Sequence, residues 1–139
     1  MTKFKFILVV GLIGACFTAP ALADEQTEKK ADVLSQCYAE IGNQPRAELL
    51  SCLEKYQKEA KAALDAKLQS AEKDIKDTDS SASETALKSL AASQQAFDAF
   101  LHAECQRVND ATMGGSGAGD FARACEVDLL RWRAKQLDK

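Results

Sequence analysis

The chain has a single histidine, His102, among its 139 residues, and few aromatic side chains: six Phe, two Tyr and one Trp. A catalytic serine or cysteine needs a neighbouring base, and the cysteine nearest to His102, Cys105, is better used in a disulfide. Acidic residues are plentiful, but they are spread over helix faces that also carry lysines, so no two form an evident acid–base pair. We therefore predict no catalytic residue and expect a protein that is not an enzyme.

Several ligand-binding motifs are also missing. The glycine-rich segment 113–120 lacks the Gly-Lys-Ser/Thr ending of a phosphate-binding loop, and no Cys-x-x-Cys redox pair occurs. Structural zinc sites use closely spaced ligands, whereas the gaps within the two cysteine pairs described below are 14 and 19 residues. The basic stripe of a nucleic-acid-binding protein is absent as well. These absences predict no metal, no cofactor and no nucleic-acid partner.

The N-terminus has the pattern of an export signal. Two lysines precede the apolar run Phe6–Ile13, which is too short to span a bilayer. Ala21-Leu22-Ala23 then supplies the small-x-small pattern of a signal-peptidase site. We predict a secretory signal over residues 1–23 and one helical domain over residues 24–139, located in the periplasm or secreted.

Cys16 provides an alternative to this cleavage site. Ile13-Gly14-Ala15-Cys16 resembles the lipobox of bacterial lipoproteins, in which the cysteine carries lipid and anchors the chain to a membrane. We favour cleavage after Ala23, because Asp24 and Glu25 make it the cleaner site. Contact with a membrane is therefore expected only through the signal or through such a lipid anchor.

The chain is acidic. Its formal net charge is −3, and residues 1–23 contain two lysines and no acidic residue, so the remainder has 16 basic and 21 acidic side chains and a net charge of −5. The 116 residues that remain after removal of residues 1–23 from 139 make one small domain. Its acidic surface fits an exported protein and would attract a basic partner.

The segment after the signal has a helical pattern, with no stretch that alternates apolar and polar residues as a strand does. A short helix is predicted to begin near Lys30 and to end at Gly42-Asn43, before Pro45. A long amphipathic helix over Arg46–Lys76 has apolar residues at steps of three or four. Its predicted core stripe is Leu49, Leu53, Tyr56, Ala60, Leu64, Leu68, Ala71 and Ile75.

Two further helices follow a polar break. Ser81 and Glu84 have the spacing of a capping box, which predicts the start of a third helix. After the glycine loop, Asp120 is expected to cap a fourth helix. The predicted core stripe of the third helix is Leu87, Leu90, Gln94, Phe97, Leu101 and Val108, and that of the fourth is Phe121, Ala124, Cys125, Leu129, Trp132 and Gln136. The expected fold is all-α, a small disulfide-stapled helical hairpin bundle of three to four helices.

Four cysteines lie outside the signal, and they form two successive pairs, each of which flanks a turn. Cys37 and Cys52 enclose the first turn, and Cys105 and Cys125 enclose the glycine loop. Antiparallel neighbouring helices bring such positions together, so we predict the disulfides Cys37–Cys52 and Cys105–Cys125, which stabilise the fold by about 3 kcal/mol each. A lean core of Leu and Ala gains from such cross-links.

Three stretches carry a family resemblance. Cys52 is followed by Leu53, Tyr56 and the run Ala-Ala-Leu-Asp-Ala-Lys-Leu at 62–68, and residues 93–105 place a glutamine, two aromatic residues and a cysteine at a helix end. The third stretch joins Gly114-Gly115-Ser116 to Cys125, Leu129, Arg133 and Leu137. Over about residues 34–137 the chain resembles the lysozyme inhibitor LprI-like domain, a bacterial envelope family. It departs from the family pattern at Phe97, Leu101 and Leu130, where Trp, Arg and Thr are favoured.

The resemblance implies an exported envelope protein that binds, and inhibits, a lysozyme-type muramidase. A cleft with two catalytic carboxylates accepts a neutral or basic loop, so the candidate partner-binding residues are Gly114, Gly115, Ser116 and Gly117. The alternative is a periplasmic structural or protein-interaction module with no lysozyme target. Its binding face would be the long second helix or the region of Phe97, Phe100 and Trp132.

Overall fold

A computed structural model describes residues 32–138, which form four α-helices. The helices are α1 (Val33–Ile41), α2 (Ala47–Asp77), α3 (Ser83–Asp110) and α4 (Ala118–Gln136). No strand occurs within residues 32–138, and the predicted all-α class is confirmed. The predicted signal over residues 1–23, including Cys16, lies outside the described residues.

α1 is bounded by a capping residue and a glycine. The Asp32 carboxylate accepts hydrogen bonds from the Ser35 backbone N–H at 3.0 Å and from the Ser35 hydroxyl at 2.9 Å, which satisfies the free donors of the first turn. The helix ends at Ile41, where Gly42 adopts a φ of 53° that disfavours other residues. The chain then turns at Pro45 into α2, so α1 and α2 form a hairpin.

α4 lies at the centre of the bundle. It packs closely on both α2 and α3, whereas α2 and α3 contact each other much less. α4 runs parallel to α2, because Asp120 contacts Arg46 near the start of both helices and Asp138 contacts Lys67 further along. It runs antiparallel to α3, because Cys125 is bonded to Cys105 and Arg133 donates to Ser93. α1 completes the bundle against α2 and α4.

The core is concentrated where all four helices meet. The predicted stripe of α2 is buried through Leu64 except at the half-buried Tyr56, and beyond it Leu68, Ala71 and Ile75 are only half-buried. The reason is that α4 ends at Gln136, near the level of Lys67, so the distal parts of α2 and α3 pack without a third helix. The buried core comprises Val33, Cys37, Ile41, Leu49, Cys52, Leu53, Ala60, Leu64, Phe97, Ala124, Val127, Leu130 and Ala134.

The predicted buried face of α4 was only partly right: Ala124 is buried and Leu129 packs against the core, but the aromatic residues are not buried. The residues that enter the core are Ala124, Val127, Leu130 and Ala134, whereas Phe121 and Trp132 are about half-exposed. A central helix that touches three neighbours needs small side chains on its inner surface, because these allow the helix axes to approach. The large aromatic rings are therefore left at the edges of α4.

Both predicted N-caps were also wrong. α3 begins after Ala82 without a side-chain cap, and Glu84 pairs with Lys88 instead of returning to Ser81. α4 begins after Gly117, three residues earlier than predicted, so Asp120 lies inside its first turn. An acidic residue there still interacts favourably with the helix dipole, but its side chain is used in a tertiary contact with Arg46.

Two disulfides join the helices in hairpin pairs. Cys37 and Cys52 connect α1 to α2 with a Cα–Cα distance of 5.7 Å, and Cys105 and Cys125 connect α3 to α4 at 5.5 Å. These are the same two pairs that the hairpin argument predicts from the sequence. Each cross-link encloses one of the two turns described next.

Candidate functional site

The α1–α2 turn (residues 42–46) and the glycine loop (residues 111–117) lie at the same end of the bundle, which we call the stapled end. Arg46 connects them. Its Nη2 is 2.8 Å from Asp120 Oδ2 and 3.4 Å from the Ser116 carbonyl oxygen, and its Nη1 is 3.4 Å from Ser116 Oγ. These contacts span at least 70 residues of sequence, so the two turns form one continuous surface.

The glycine loop is a series of tight turns. Backbone N–H groups of Met113 and Gly115 donate to Asp110 and Thr112 at 3.0 and 2.9 Å. Met113 and Gly114 both adopt positive φ, at 49° and 79°, and the Met113 side chain is 95% exposed at the tip. The loop therefore projects from the bundle on a hydrogen-bonded base rather than as the featureless connector that its glycine content suggests.

The stapled end has an unusual charge distribution for this chain. Nine consecutive residues, 111–119, carry no charge, although 28% of all residues are Asp, Glu, Lys or Arg. Asp120 beyond the loop is neutralised by Arg46, and the hydrogen bond to Asp120 raises the pKa of that guanidinium. The projecting part of the loop is thus neutral, and the charge that follows it is paired.

Exposed apolar side chains surround Arg46. Tyr38, Leu50 and Phe121 come from three different helices and are 49%, 39% and 46% exposed. A Cβ atom added to Gly117 would lie 3.0 Å from Arg46 Nη2 and 3.2 Å from Phe121 Cε2, so both side chains lie against the Gly117 backbone. Leu50 follows Arg46 by one helical turn and lies on the same side of α2.

Arg46 and the exposed apolar residues near it (Tyr38, Leu50 and Phe121) were not predicted as site residues from the sequence. Phe121 was assigned to the core, and the other three gave no periodic or motif signal. The one available signal was the position of Phe121 directly after an uncharged, glycine-rich loop. In contrast, the predicted residues Gly114, Gly115, Ser116 and Gly117 all lie at the stapled end, the first three of them exposed.

The alternative binding face also has exposed aromatic residues. Phe100 and Trp132 are each about half-exposed, and the Trp132 ring lies 6.2 Å from the buried Phe97 ring, centroid to centroid. Trp132 also borders a shallow groove of about 570 Å³ that includes Ala63 and Lys67 of α2. This face is separate from the glycine loop, since it lies toward the opposite end of α4.

No arrangement at either face suggests a reaction centre. His102 is exposed on α3, three residues before the buried Cys105 and outside the stapled end. In residues 32–138, no group of three or more His, Cys, Asp or Glu side chains is placed to hold a metal ion. None of the helices in that range is both long and apolar enough to cross a bilayer.

Comparison with known proteins gives one match. The family model for the lysozyme inhibitor LprI matches residues 37–137, which is most of the chain and includes both disulfides. No curated protein and no solved structure matches. The three departures from the family pattern lie away from the exposed loop, because Phe97 and Leu130 are buried and Leu101 packs against the core.

Proposed function

We propose, because the chain belongs to the lysozyme inhibitor LprI family, that it is an exported protein that binds a lysozyme-type muramidase and inhibits it. The observation that carries this proposal is the extent of the family match. Residues 37–137 include α2, α3 and α4 together with both disulfides, so the shared region is the whole stapled body and its glycine loop.

The glycine loop supports inhibition at the cleft. Muramidases work with a pair of catalytic carboxylates, which would repel an acidic side chain and accept a neutral one. Residues 111–119 carry no charge, and the Met113 side chain at the tip is almost fully exposed. We infer that Gly114, Gly115, Ser116 and Gly117 contact the cleft and block the approach of the glycan.

The acidic body supports recognition of a basic enzyme. Many lysozymes are basic, and a domain over residues 24–139 with a net charge of −5 would be steered toward them before contact. Electrostatic steering weakens as salt screens the charges. Association should therefore be faster at low ionic strength, whereas the neutral loop contacts should change little.

The proposal that the protein is exported rests on the sequence of its first residues. We propose that residues 1–23 are removed as a secretory signal and that the protein acts in the periplasm or outside the cell, with lipidation at Cys16 as the alternative. The two disulfides support an oxidising compartment. The intact mass of protein purified from its native envelope distinguishes cleavage after Ala23 from an acylated Cys16.

The test of the proposal is inhibition of purified muramidases. Protein lacking residues 1–23 is titrated into a turbidity assay with a basic c-type lysozyme and with other lysozyme classes, at low and at moderate salt. The expected result is a saturable loss of lysis that needs more protein at the higher salt. No loss of lysis with any muramidase at a large molar excess would contradict the proposal.

A second candidate is an envelope interaction module with no muramidase target. The exposed Phe100 and Trp132 side chains favour it, because large aromatic residues left half-exposed by folding are typical of protein contact surfaces. Capture from an envelope extract tests it. A stable partner that is not a muramidase, and that is lost on changing Trp132→Ala, would support this candidate over the first.

A further inference from the structure

We propose that Tyr38, Arg46, Leu50 and Phe121 form an anchor patch, the surface by which this chain holds a basic lysozyme outside its cleft. This inference rests on the proposed function and goes one step further. It assigns most of the binding free energy to the patch and assigns the block of the cleft to the neighbouring glycine loop.

The patch is a single surface although its residues come from three helices. Gly117 brings two of them together, since its missing side chain leaves space for Arg46 Nη2 on one side and the Phe121 ring on the other. Tyr38 lies in the last turn of α1, where its carbonyl oxygen accepts a hydrogen bond from the Gly42 N–H at 3.1 Å, at the start of the α1–α2 turn. Leu50 extends the surface along α2 by one turn.

The composition of the patch matches the residues that dominate protein interfaces. Tyrosine, tryptophan and arginine are enriched among the residues that contribute most of the binding free energy at such surfaces, particularly when a partner can bury them fully. Tyr38, Leu50 and Phe121 each leave between 39% and 49% of their surface exposed, so a partner would remove apolar area that folding leaves in water.

Arg46 is held in place before any partner arrives. Its guanidinium is bonded to Asp120 and Ser116, so little side-chain freedom remains to be lost on binding. The pairing also cancels its charge. A neutral apolar patch on an acidic body suits a basic enzyme, because the body attracts the enzyme and the patch does not repel it.

The position of the patch explains the division of roles. Asp120 and Phe121 lie in the first turn of α4, which follows the loop, and Ser116 in the loop accepts hydrogen bonds from Arg46. An enzyme surface that binds the patch would therefore have the uncharged loop beside it, because only a few residues separate Phe121 from the end of the loop. The patch sets how long the complex lasts, and the loop sets whether the bound enzyme can accept its glycan.

Phe121 and Phe100 provide a matched test. The two phenylalanines are 46% and 51% exposed, but only Phe121 belongs to the patch. Residues 24–139 are tested for binding to an immobilised basic c-type lysozyme. The unchanged protein is compared with Phe121→Ala, Leu50→Ala and Phe100→Ala. Unfolding midpoints for all four establish that each is folded.

We expect Phe121→Ala and Leu50→Ala each to raise Kd at least tenfold, mainly through faster dissociation, and Phe100→Ala to stay within about twofold. Leu50→Ala keeps the test informative if the Phe121 variant fails to fold. Binding by the unchanged protein with neither patch variant affected would overturn the anchor patch alone. Absence of binding by the unchanged protein would overturn the proposed function and the patch together.

Discussion

Arg46 and Asp120 form an ion pair at 2.8 Å between the starts of α2 and α4, across 74 residues of sequence. The pair fixes the glycine loop against the α1–α2 turn, because the same guanidinium also bonds Ser116. Both side chains are accessible to water, so the pair alone contributes little to the free energy of unfolding. Its main consequence is the arrangement of the stapled end.

Gly117 and Gly119 should respond differently to alanine. A Cβ atom at Gly117 would press on both Arg46 and Phe121, whereas one at Gly119 would meet only the mobile end of the Arg123 side chain, at 3.1 Å. Gly119 lies within α4, so Gly119→Ala should raise the free energy of unfolding by about 0.5–1 kcal/mol. Gly117→Ala should instead weaken lysozyme binding several-fold. Chemical denaturation and a binding titration of both variants check this, and equal affinities would contradict it.

The Cys105–Cys125 disulfide should stabilise both the fold and the loop. The cross-link joins residues separated by 20 positions, so replacing both cysteines by serine should lower the free energy of unfolding by about 3 kcal/mol. Urea denaturation measures the loss. The double serine variant at Cys37 and Cys52, whose separation is 15, is the control.

Both double variants should lose similar stability, because the loop-closure entropies are similar. At a temperature where both remain folded, the variant without Cys105–Cys125 should lose maximal inhibition at saturating protein, because the base of the glycine loop is released. The variant without Cys37–Cys52, whose cross-link encloses Tyr38, Arg46 and Leu50, should instead lose affinity. Unchanged maximal inhibition without Cys105–Cys125 would mean that the glycine loop does not depend on that disulfide.

Core substitutions in the first half of α2, which packs among the other three helices, should destabilise the protein more than substitutions in its distal half. Leu53 is fully buried where four helices meet, so Leu53→Ala should cost about 2–5 kcal/mol. Leu68→Ala removes the same atoms at a half-buried position and should lower the free energy of unfolding by less than half as much. Free energies of unfolding in urea measure both, and a larger loss at Leu68 would contradict the core described here.

Asp32 should give a pH-dependent contribution to stability. Hydrogen bonds from Ser35 lower the pKa of Asp32 below its ordinary value of 3.8, so the unfolded chain binds its proton more readily. The stabilisation is therefore present above pH 3.8 and is lost as pH falls through the lowered folded-state pKa.

At neutral pH, Asp32→Ala should cost about 1 kcal/mol, the usual value of an N-cap. The difference from the unchanged protein should shrink when unfolding is repeated at successively lower pH. Asp32→Asn is the control, because asparagine caps α1 without titrating. Its advantage over alanine should stay constant with pH, and a cost of Asp32→Ala that grows toward acid would be the wrong sign.

Local pattern predicted much of the fold and the position of the glycine loop. Steps of three or four placed Leu49, Leu53 and Leu64 in the core, and the turns between cysteines gave both disulfides. The orientation of α4 did not follow, because apolar character favoured Phe121 and Trp132 while close packing selected Ala124 and Ala134. That choice depends on how many neighbours a helix has, which no local pattern records.

The candidate site also has one part that the sequence indicates and one part that only the packing of the helices creates. The glycine loop was visible as a composition change in the sequence. The surface around Arg46 was not, because Tyr38, Leu50 and Phe121 come together only when α4 runs parallel to α2. A contact across 74 residues has no signature in spacing, and Asp120 looked like a helix cap until its partner was known.

The central claim is that the glycine loop occupies the muramidase cleft while the enzyme rests on the stapled end. The most direct measurement is competition between this chain and a chitooligosaccharide, a substrate fragment that fills the cleft of a basic c-type lysozyme. The account predicts competition, so the apparent Kd for the lysozyme rises by the factor 1 + c/Ki, where c is the oligosaccharide concentration, without an upper limit as the cleft fills. An apparent Kd that stays unchanged when the cleft is saturated would contradict it.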